Sequence, residues 1–460
     1  MTDGEEVVRE QADGVWVAGR RALTVGLVFT VTLVGFEALA VATVLPSVKE
    51  DLGGLALYGA VFSAFFLGSI IGIVAAGRDA DRAGPLRPFA AGLVLFAIGL
   101  VVGGAAPSMA VLVLGRFVQG VGAGAIPAVA YVAIGRAYPV TLQPRMFAVL
   151  STAWVLPAII GPALSGAIDD LFGWRWVFLG LLPLVALAAA MTGRSLHAIG
   201  PPGGDEPPDR RRDSWLLAFG AALFLGGLTS SSLLVAVPLV GVGALLAVPP
   251  FRRLMPAGTL QVHAGLPAAV ALRGILMFAF FGTDAFVSLT LTSEHGASVL
   301  LAGIALTVSS LTWTAAAWVQ ERRVLRYGPQ YFVRAGAIIL AVGIGGMILV
   351  ALVAVPIAVA FVAWAIAGFG MGLAYAPLSL VVLAEAPEGA EGTATASLQL
   401  NETLGVALGT GIAGAVVAAG DELGWSDGHA FAFAFTLCVA FAVAGAFAAR
   451  QLPRTVAGTT

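Results

Sequence analysis

The chain has 460 residues, of which 59% are hydrophobic and only 11% charged, a balance that a soluble globular protein of this size does not tolerate. A polytopic membrane protein is therefore expected. The formal net charge of −2 says nothing about nucleic acid, and no nucleic-acid partner is expected; in such a chain the placement of charges matters more than their sum.

Residues 1–21 are polar, so no cleavable signal is expected ahead of the first apolar segment, which is long enough to remain as an anchor. Apolar runs of spanning length follow near 22–45, 57–77, 88–106, 109–135, 146–169 and 175–193. These six make a first bundle. A stretch from Arg194 to Asp213, with Pro201-Pro202-Gly203-Gly204 and Arg210-Arg211-Arg212, reads as a cytoplasmic linker. Runs near 265–292, 298–319, 332–355, 357–384, 392–419 and 430–449 make a second six.

Between them lies the apolar segment 215–251, with Arg210 to Arg212 before it and Arg252-Arg253 after it. One crossing would invert the second bundle and place Arg322, Arg323, Arg326 and Arg334 outside. The segment must cross twice or not at all. Split at Thr229-Ser230-Ser231-Ser232 it makes two spans of about 17 residues, so fourteen helices are expected, with twelve as the alternative. The corresponding domains are 1–193, 194–264 and 265–460. With the N-terminus inside, Lys49 and Arg175 are the basic residues left on outer loops, so both termini are expected in the cytoplasm.

Chemistry resides in the few polar residues within these runs. Glu37 lies deep in the first, where a carboxylate costs roughly 2.5–3.5 kcal/mol even on insertion scales; such a group needs a purpose, and exchanging a proton when the site opens to water is one. Arg116 lies in the fourth, within Arg116-Phe117-Val118-Gln119-Gly120, and must find acceptors or a carboxylate because it cannot lose its proton. In the second half Asp284 falls among Phe278, Phe280, Phe281 and Phe286, where an amphipathic cation finds both charge and apolar walls; Glu402 follows Asn401 in a later run. Pairing for packing alone competes with a functional role for each of these carboxylates. Trp154, Phe281, Trp313 and Gln399 are further candidates to line a substrate cavity beside Glu37 and Asp284.

The loop after the second run reads Gly77-Arg78-Asp79-Ala80-Asp81-Arg82-Ala83-Gly84-Pro85-Leu86-Arg87. Gly84-Pro85 makes a tight turn, and Asp81 at a membrane edge is suited to meet a helix N-terminus or a basic side chain. The turn recurs as Arg326-Tyr327-Gly328-Pro329, without the carboxylate, and Gly336 stands to Gly328 as Gly92 stands to Gly84. A same-direction repeat of half-chain length fits two related bundles.

This loop resembles the one between helices 2 and 3 of major facilitator superfamily transporters, with Gly77, Asp81, Arg82, Gly84 and Arg87 in the family's positions and Asp79 and Pro85 as departures. Arg116, Gln119 and Gly120 are similar to the family's helix-4 motif. Pro157, Gly161, Pro162 and Gly166 resemble its antiporter motif, with Pro157 where a Gly is usual. Glu37, nine residues before Pro46, is in register with the helix-1 Asp of the fourteen-helix drug:proton antiporters, with Glu in its place and Ala38 through Ala42 lacking the family's usual Thr and Asn as departures. The resemblance implies an all-α major facilitator fold of two six-helix bundles with two extra helices between them. It also implies a proton-coupled exporter of small amphipathic or hydrophobic compounds in a bacterial inner membrane, functional as a monomer. Glu37, Asp284 and Glu402 would handle protons, Arg116 would tune them and Asp81 would help latch a gate. Export of an endogenous lipid, siderophore or metabolite is the alternative, and a scaffold or lipid-modifying enzyme a remote one.

No Gly-rich loop ending in Lys-Ser or Lys-Thr exists, so no ATPase site is expected. Gly368, Gly370 and Gly372 lie in an apolar run and read as packing residues. His197, His263, His295 and His429 lack ligand spacing and Cys438 stands alone, so neither a metal nor a cofactor is expected.

Overall fold

The computed structural model describes residues 14–53, 57–201, 209–228, 233–353 and 355–455, and among them every regular element is helical. The turn Thr229 to Ser232, where a loop between two extra spans is expected, lies outside the described residues, as do Pro202 to Gly204 of the linker. Among the described residues, thirteen helical stretches are long and apolar enough to cross a membrane.

The first compact unit comprises Met1–Asp209 together with Pro387–Ala396. Its helices are α1 Ala18–Leu52, α2 Tyr58–Ala83, α3 Leu86–Gly104, α4 Met109–Ala137, α5 Gln143–Thr152, α6 Val155–Phe172, α7 Arg175–Leu179 and α8 Leu182–His197. The run expected at 146–169 is broken at Ala153 and Trp154 between α5 and α6. Pro157 explains the break: it has no N–H to give to the Ala153 carbonyl, and the Thr32 hydroxyl on α1 donates to that oxygen instead, at 3.1 Å. α4 is the core of the unit, and its glycines set how closely its neighbours approach. A Cβ on Gly120 would strike the Phe65 carbonyl of α2, one on Gly122 the Phe96 amide of α3, and one on Gly124 the Ser69 carbonyl of α2. Small residues at such crossings let backbones pack where lipid supplies no hydrophobic drive.

The second unit comprises Arg210–Ala386 and Ser397–Ala457. Its helices are α9 Arg211–Leu228, α10 Leu233–Leu254, α11 Leu266–His295, α12 Val299–Glu321, α13 Val324–Tyr327, α14 Pro329–Leu352, α15 Ala358–Glu385, α16 Glu391–Glu422 and α17 Asp427–Ala448. The first residues of α16 belong to the other unit. α9 and α10 form an antiparallel pair. Gly220 packs on Gly243 and Ala247 while Gly227 packs on Ala236 and Val240, and at the open ends Arg253 donates to Asp213 at 3.1 Å. Their flanking arginines therefore lie at one end of the pair, the arrangement that two crossings require. α9 itself falls outside the thirteen spanning stretches; Arg211, Arg212 and Asp213 occupy its first turn.

The repeat read from the turns extends through both units. Gly84 and Gly328 have nearly the same backbone, φ 80° and ψ 167° against φ 79° and ψ 161°, a left-handed region open to Gly. Each turn is covered by the chain leaving the sixth helix of its own half, at Ile199 to Pro201 for Gly84 and at Arg454 for Gly328. Gly120, Gly122 and Gly124 of α4 recur as Gly368, Gly370 and Gly372 of α15, which meet Ser309 of α12, Leu340 of α14 and Trp313 of α12 in the same alternation. The three glycines of α15 are thus packing residues.

Candidate functional site

In the first unit α1 and α4 bring Glu37 and Arg116 together. Both are buried, with side chains 0% and 3% exposed, and Arg116 Nη1 donates to Glu37 Oε1. Nη1 also reaches Gln119 Oε1 at 2.7 Å, Nε points to the Val61 carbonyl at 3.5 Å, and the guanidinium lies over the Phe65 ring, 4.3 Å from its centroid. The second oxygen of Glu37, Oε2, is buried without a hydrogen-bond partner, as is Gln119 Nε2. The pair is thus held through one oxygen of the carboxylate.

Around it, the Trp154 ring covers Gly35 of α1, where a Cβ would lie 2.9 Å from its Cε3 atom, and Trp154 is itself 48% exposed. In α6, Gly161 sits near Phe36 and Leu39 of α1, while a Cβ on Gly166 would meet nothing within 4 Å.

Asp81, at the end of α2, has a side chain only 1% exposed. It accepts from the Gly392 amide at 2.6 Å, the Thr393 amide at 2.7 Å and the Thr393 hydroxyl at 2.8 Å, all in the first turn of α16. A carboxylate there answers the unpaired amides and the positive end of the helix dipole. Arg136 of α4 joins Asp81 at 3.0 Å to Glu391 at 2.7 Å. Gly77 allows the approach, since a Cβ there would strike the Gly392 carbonyl and the Ala396 Cβ. Arg82 and Arg87 lie exposed on either side of the turn. Arg136, Glu391 and Thr393 escaped the sequence reading, because the loop alone does not show which helix end it meets.

The second unit holds another buried ion pair. Arg273 of α11, with a fully buried side chain, donates to Glu402 of α16 at 3.3 Å, to the Tyr375 carbonyl at 2.9 Å and to the Ser379 hydroxyl at 2.5 Å. The Tyr375 hydroxyl donates to Glu402 at 3.0 Å, and the Arg273 guanidinium lies 3.6 Å from the Tyr375 ring centroid. Tyr375, Ser379 and the partnership of Arg273 with Glu402 were not anticipated, although an arginine inside a span signals that a carboxylate is near.

Asp284 sits one turn after Phe280 on α11. Phe280 stacks on Trp364 of α15 at 4.9 Å and meets Trp313 of α12 edge-on at 5.3 Å. Trp313 in turn contacts Tyr375 at 5.4 Å, and Phe281 lies edge-on to Phe280 at 5.1 Å. Phe278 and Phe286 instead face Phe441 and Phe431 of α17, because helical spacing turns them away from the Asp284 face. Trp364, stacked on Phe280, buries its indole N–H without a hydrogen-bond partner. Gln399 is buried with its Nε2 unpartnered.

The repeat relates these groups. The displacement that carries Gly120, Gly122 and Gly124 to Gly368, Gly370 and Gly372 carries Arg116 to Trp364. Likewise Gly35-Phe36-Glu37-Ala38 of α1 matches Gly282-Thr283-Asp284-Ala285 of α11. Glu37 and Asp284 are therefore counterparts, as are Arg116 and Trp364. Among the described residues no group of three His, Cys, Asp or Glu is placed to hold a metal ion.

Known proteins share this organisation. A protein of Mycobacterium tuberculosis (strain H37Rv) named a "probable multidrug-efflux transporter" is 28% identical over 442 residues, covering 90% of this chain and 92% of its own. The multidrug transporter protein MdtP of Bacillus subtilis (strain 168) is 29% identical over 178 residues, 39% of this chain and 33% of its own. Among solved structures, the human organic anion transporter MFSD10 superposes with a TM-score of 0.69 at 16% identity, covering 93% of this chain and 99% of that one. The proton:xylose symporter XylE does so with a TM-score of 0.68 at 14% identity, covering 93% and 94%. At those identities the likeness shows the fold. The Major Facilitator Superfamily profile matches residues 27–410, from within α1 to within α16, and so takes in both halves of the repeat with their buried ion pairs: the chain is a multi-pass membrane protein that belongs to the Major Facilitator Superfamily.

Proposed function

We propose that this protein exports small amphipathic or hydrophobic compounds in exchange for protons, by alternating access between an N-terminal bundle (1–193) and a C-terminal bundle (265–460), with 194–264 supplying the linker and two extra spans. Efflux is supported by the names of the Mycobacterium tuberculosis and Bacillus subtilis relatives. The observation that carries proton coupling is the one-sided pairing of Glu37, whose Oε1 meets Arg116 while Oε2 is buried and free of partners.

A proton arriving at Oε2 neutralises the carboxylate. Arg116 then keeps Gln119 and the Val61 carbonyl as acceptors but loses the charge that binds α4 to α1. Those helices are released, and when Glu37 gives up the proton the pair reforms. Breaking a buried pair by removing one charge costs about 3–5 kcal/mol, enough for one proton to bias a two-state equilibrium strongly. Asp284 and Glu402 assist in the second half. Asp81 closes the cytoplasmic gate by holding the first turn of α16, and the acceptor–donor set on Gly392 and Thr393 is lost when the gate opens.

The loop charges favour cytoplasmic termini in a bacterial inner membrane, and a single chain contains every part the cycle uses. The test is transport by purified protein in proteoliposomes with and without an imposed pH gradient, comparing the wild type with Glu37→Gln. Gradient-driven accumulation that survives the substitution unchanged contradicts this reading.

A further inference from the structure

The displacement that carries Gly84-Pro85 to Gly328-Pro329 carries Arg78 to Arg322, Asp79 to Arg323, Asp81 to Leu325 and Arg82 to Arg326. The second-half turn keeps the arginines and loses both acids. In the first half Arg78 lies 4.0 Å from Asp79 and 3.9 Å from Asp209 of the linker, and Asp81 is taken up by α16 and Arg136. In the second half the segment leaving the sixth helix covers the turn at Arg454, and Gln330 donates to the Arg450 carbonyl at 2.9 Å, so this segment brings arginines where the linker brings an acid. Arg322, Arg323, Arg326 and Arg334 are all exposed, and among the described residues none of them forms an ion pair, even with the neighbouring Glu321.

Their position says what such a patch meets. Arg322 directly follows the spanning stretch Leu301–Glu321, and Arg334 lies in the second turn of the spanning stretch Pro329–Leu352. Exposed guanidiniums there reach for the headgroup level of the leaflet they border. Tyr327 and Tyr331, 50% and 58% exposed with ring centroids 5.6 Å apart, have the amphipathic character favoured at that depth, and the Arg326 guanidinium lies 5.4 Å from the Tyr327 ring centroid. A guanidinium presents a planar fork of donors that matches a phosphodiester. A zwitterionic headgroup would also bring a cation against the arginines, whereas an anionic one brings negative charge alone. We propose that Arg322, Arg323, Arg326 and Arg334, with Tyr327 and Tyr331, form a docking surface for the headgroups of an anionic phospholipid of the phosphatidylglycerol type. This goes beyond the exporter reading and needs no transport to stand.

The test is lipid binding by the purified full-length protein, followed by native mass spectrometry as phosphatidylglycerol or phosphatidylcholine with the same acyl chains is added. The wild type is expected to bind phosphatidylglycerol more tightly. Three variants, each monodisperse in gel filtration, each lower the charge by two at exposed positions. They are Arg322→Gln with Arg326→Gln; Arg323→Asp, which puts back an acid of the first-half turn; and, for comparison, Arg212→Gln with Arg252→Gln on α9 and α10. The first two are expected to weaken phosphatidylglycerol binding at least about tenfold and leave phosphatidylcholine binding unchanged, while the third changes neither. Phosphatidylglycerol binding that is equal in the wild type and the first two variants overturns the proposal. So does an equal fall in the third, which would make the effect one of net charge, and so does displacement of the lipid by inorganic phosphate at equal concentration, which would assign the patch to a soluble anion.

Discussion

Trp364 holds in the second half of the chain the place that Arg116 holds in the first. Each is buried on the central helix of its unit, four residues before the first glycine of a Gly-x-Gly-x-Gly run. The two halves have kept the acid and diverged in what answers it. The arginine of the second half, Arg273, instead pairs with Glu402 of a different helix.

The hold of Asp81 on α16 predicts that Asp81→Asn lowers transport at least about tenfold while insertion and protein level stay normal. The amide keeps the shape but loses the negative charge; hydrogen bonds to charged groups contribute about 1.5–3 kcal/mol each against about 1 for neutral ones. Transport rate per inserted molecule is the measurement. Full activity would reduce Asp81 to a helix cap without a part in gating.

Glycine packing around α4 predicts unequal effects of adding one methyl group. Gly122→Ala drives a Cβ into the Phe96 amide, so α3 and α4 must separate at an overpacking cost of about 1–3 kcal/mol, and the melting temperature of the purified protein should fall by several degrees. Gly166→Ala meets open space and should leave it unchanged. Equal melting of the two variants would argue against the close crossing.

The apolar runs, the Gly-Pro turns and the intramembrane acids were all legible in the sequence, because membrane spans declare themselves by length and composition and a charge inside one is conspicuous. Partnerships were not. Arg273 and Glu402 lie 129 positions apart, and Asp81 meets Thr393 across 312; only the packing of helices decides which distant polar groups meet. The match of Gly35-Phe36-Glu37-Ala38 with Gly282-Thr283-Asp284-Ala285, visible in the residues alone, is what reveals Asp284 as the counterpart of Glu37.

Arg273 and Glu402 predict an asymmetry between single substitutions. Arg273→Ala strands a carboxylate and removes donors to the Tyr375 carbonyl and Ser379, so it should destabilise by about 3–5 kcal/mol. Glu402→Gln keeps an acceptor for Tyr375 and Arg273 and should cost less. Thermal unfolding of both in one detergent decides it, and an equal or reversed order would contradict the pairing.

The antiparallel α9 and α10, joined at their open ends by Arg253 and Asp213, predict that Ser231 faces the outside. A cysteine at Ser231, with Cys438 replaced, should react with an impermeant thiol reagent applied to whole cells. Labelling only after permeabilisation would remove the two extra spans.

Glu37 carries the central claim, and proteoliposome flux tests it most directly. Glu37→Gln mimics the protonated side chain at nearly the same volume. It should abolish accumulation driven by an imposed pH gradient, while equilibrium exchange of substrate continues and Glu37→Asp retains part of the activity. If Glu37→Gln concentrates substrate against its gradient as the wild type does, Glu37 is not the coupling carboxylate.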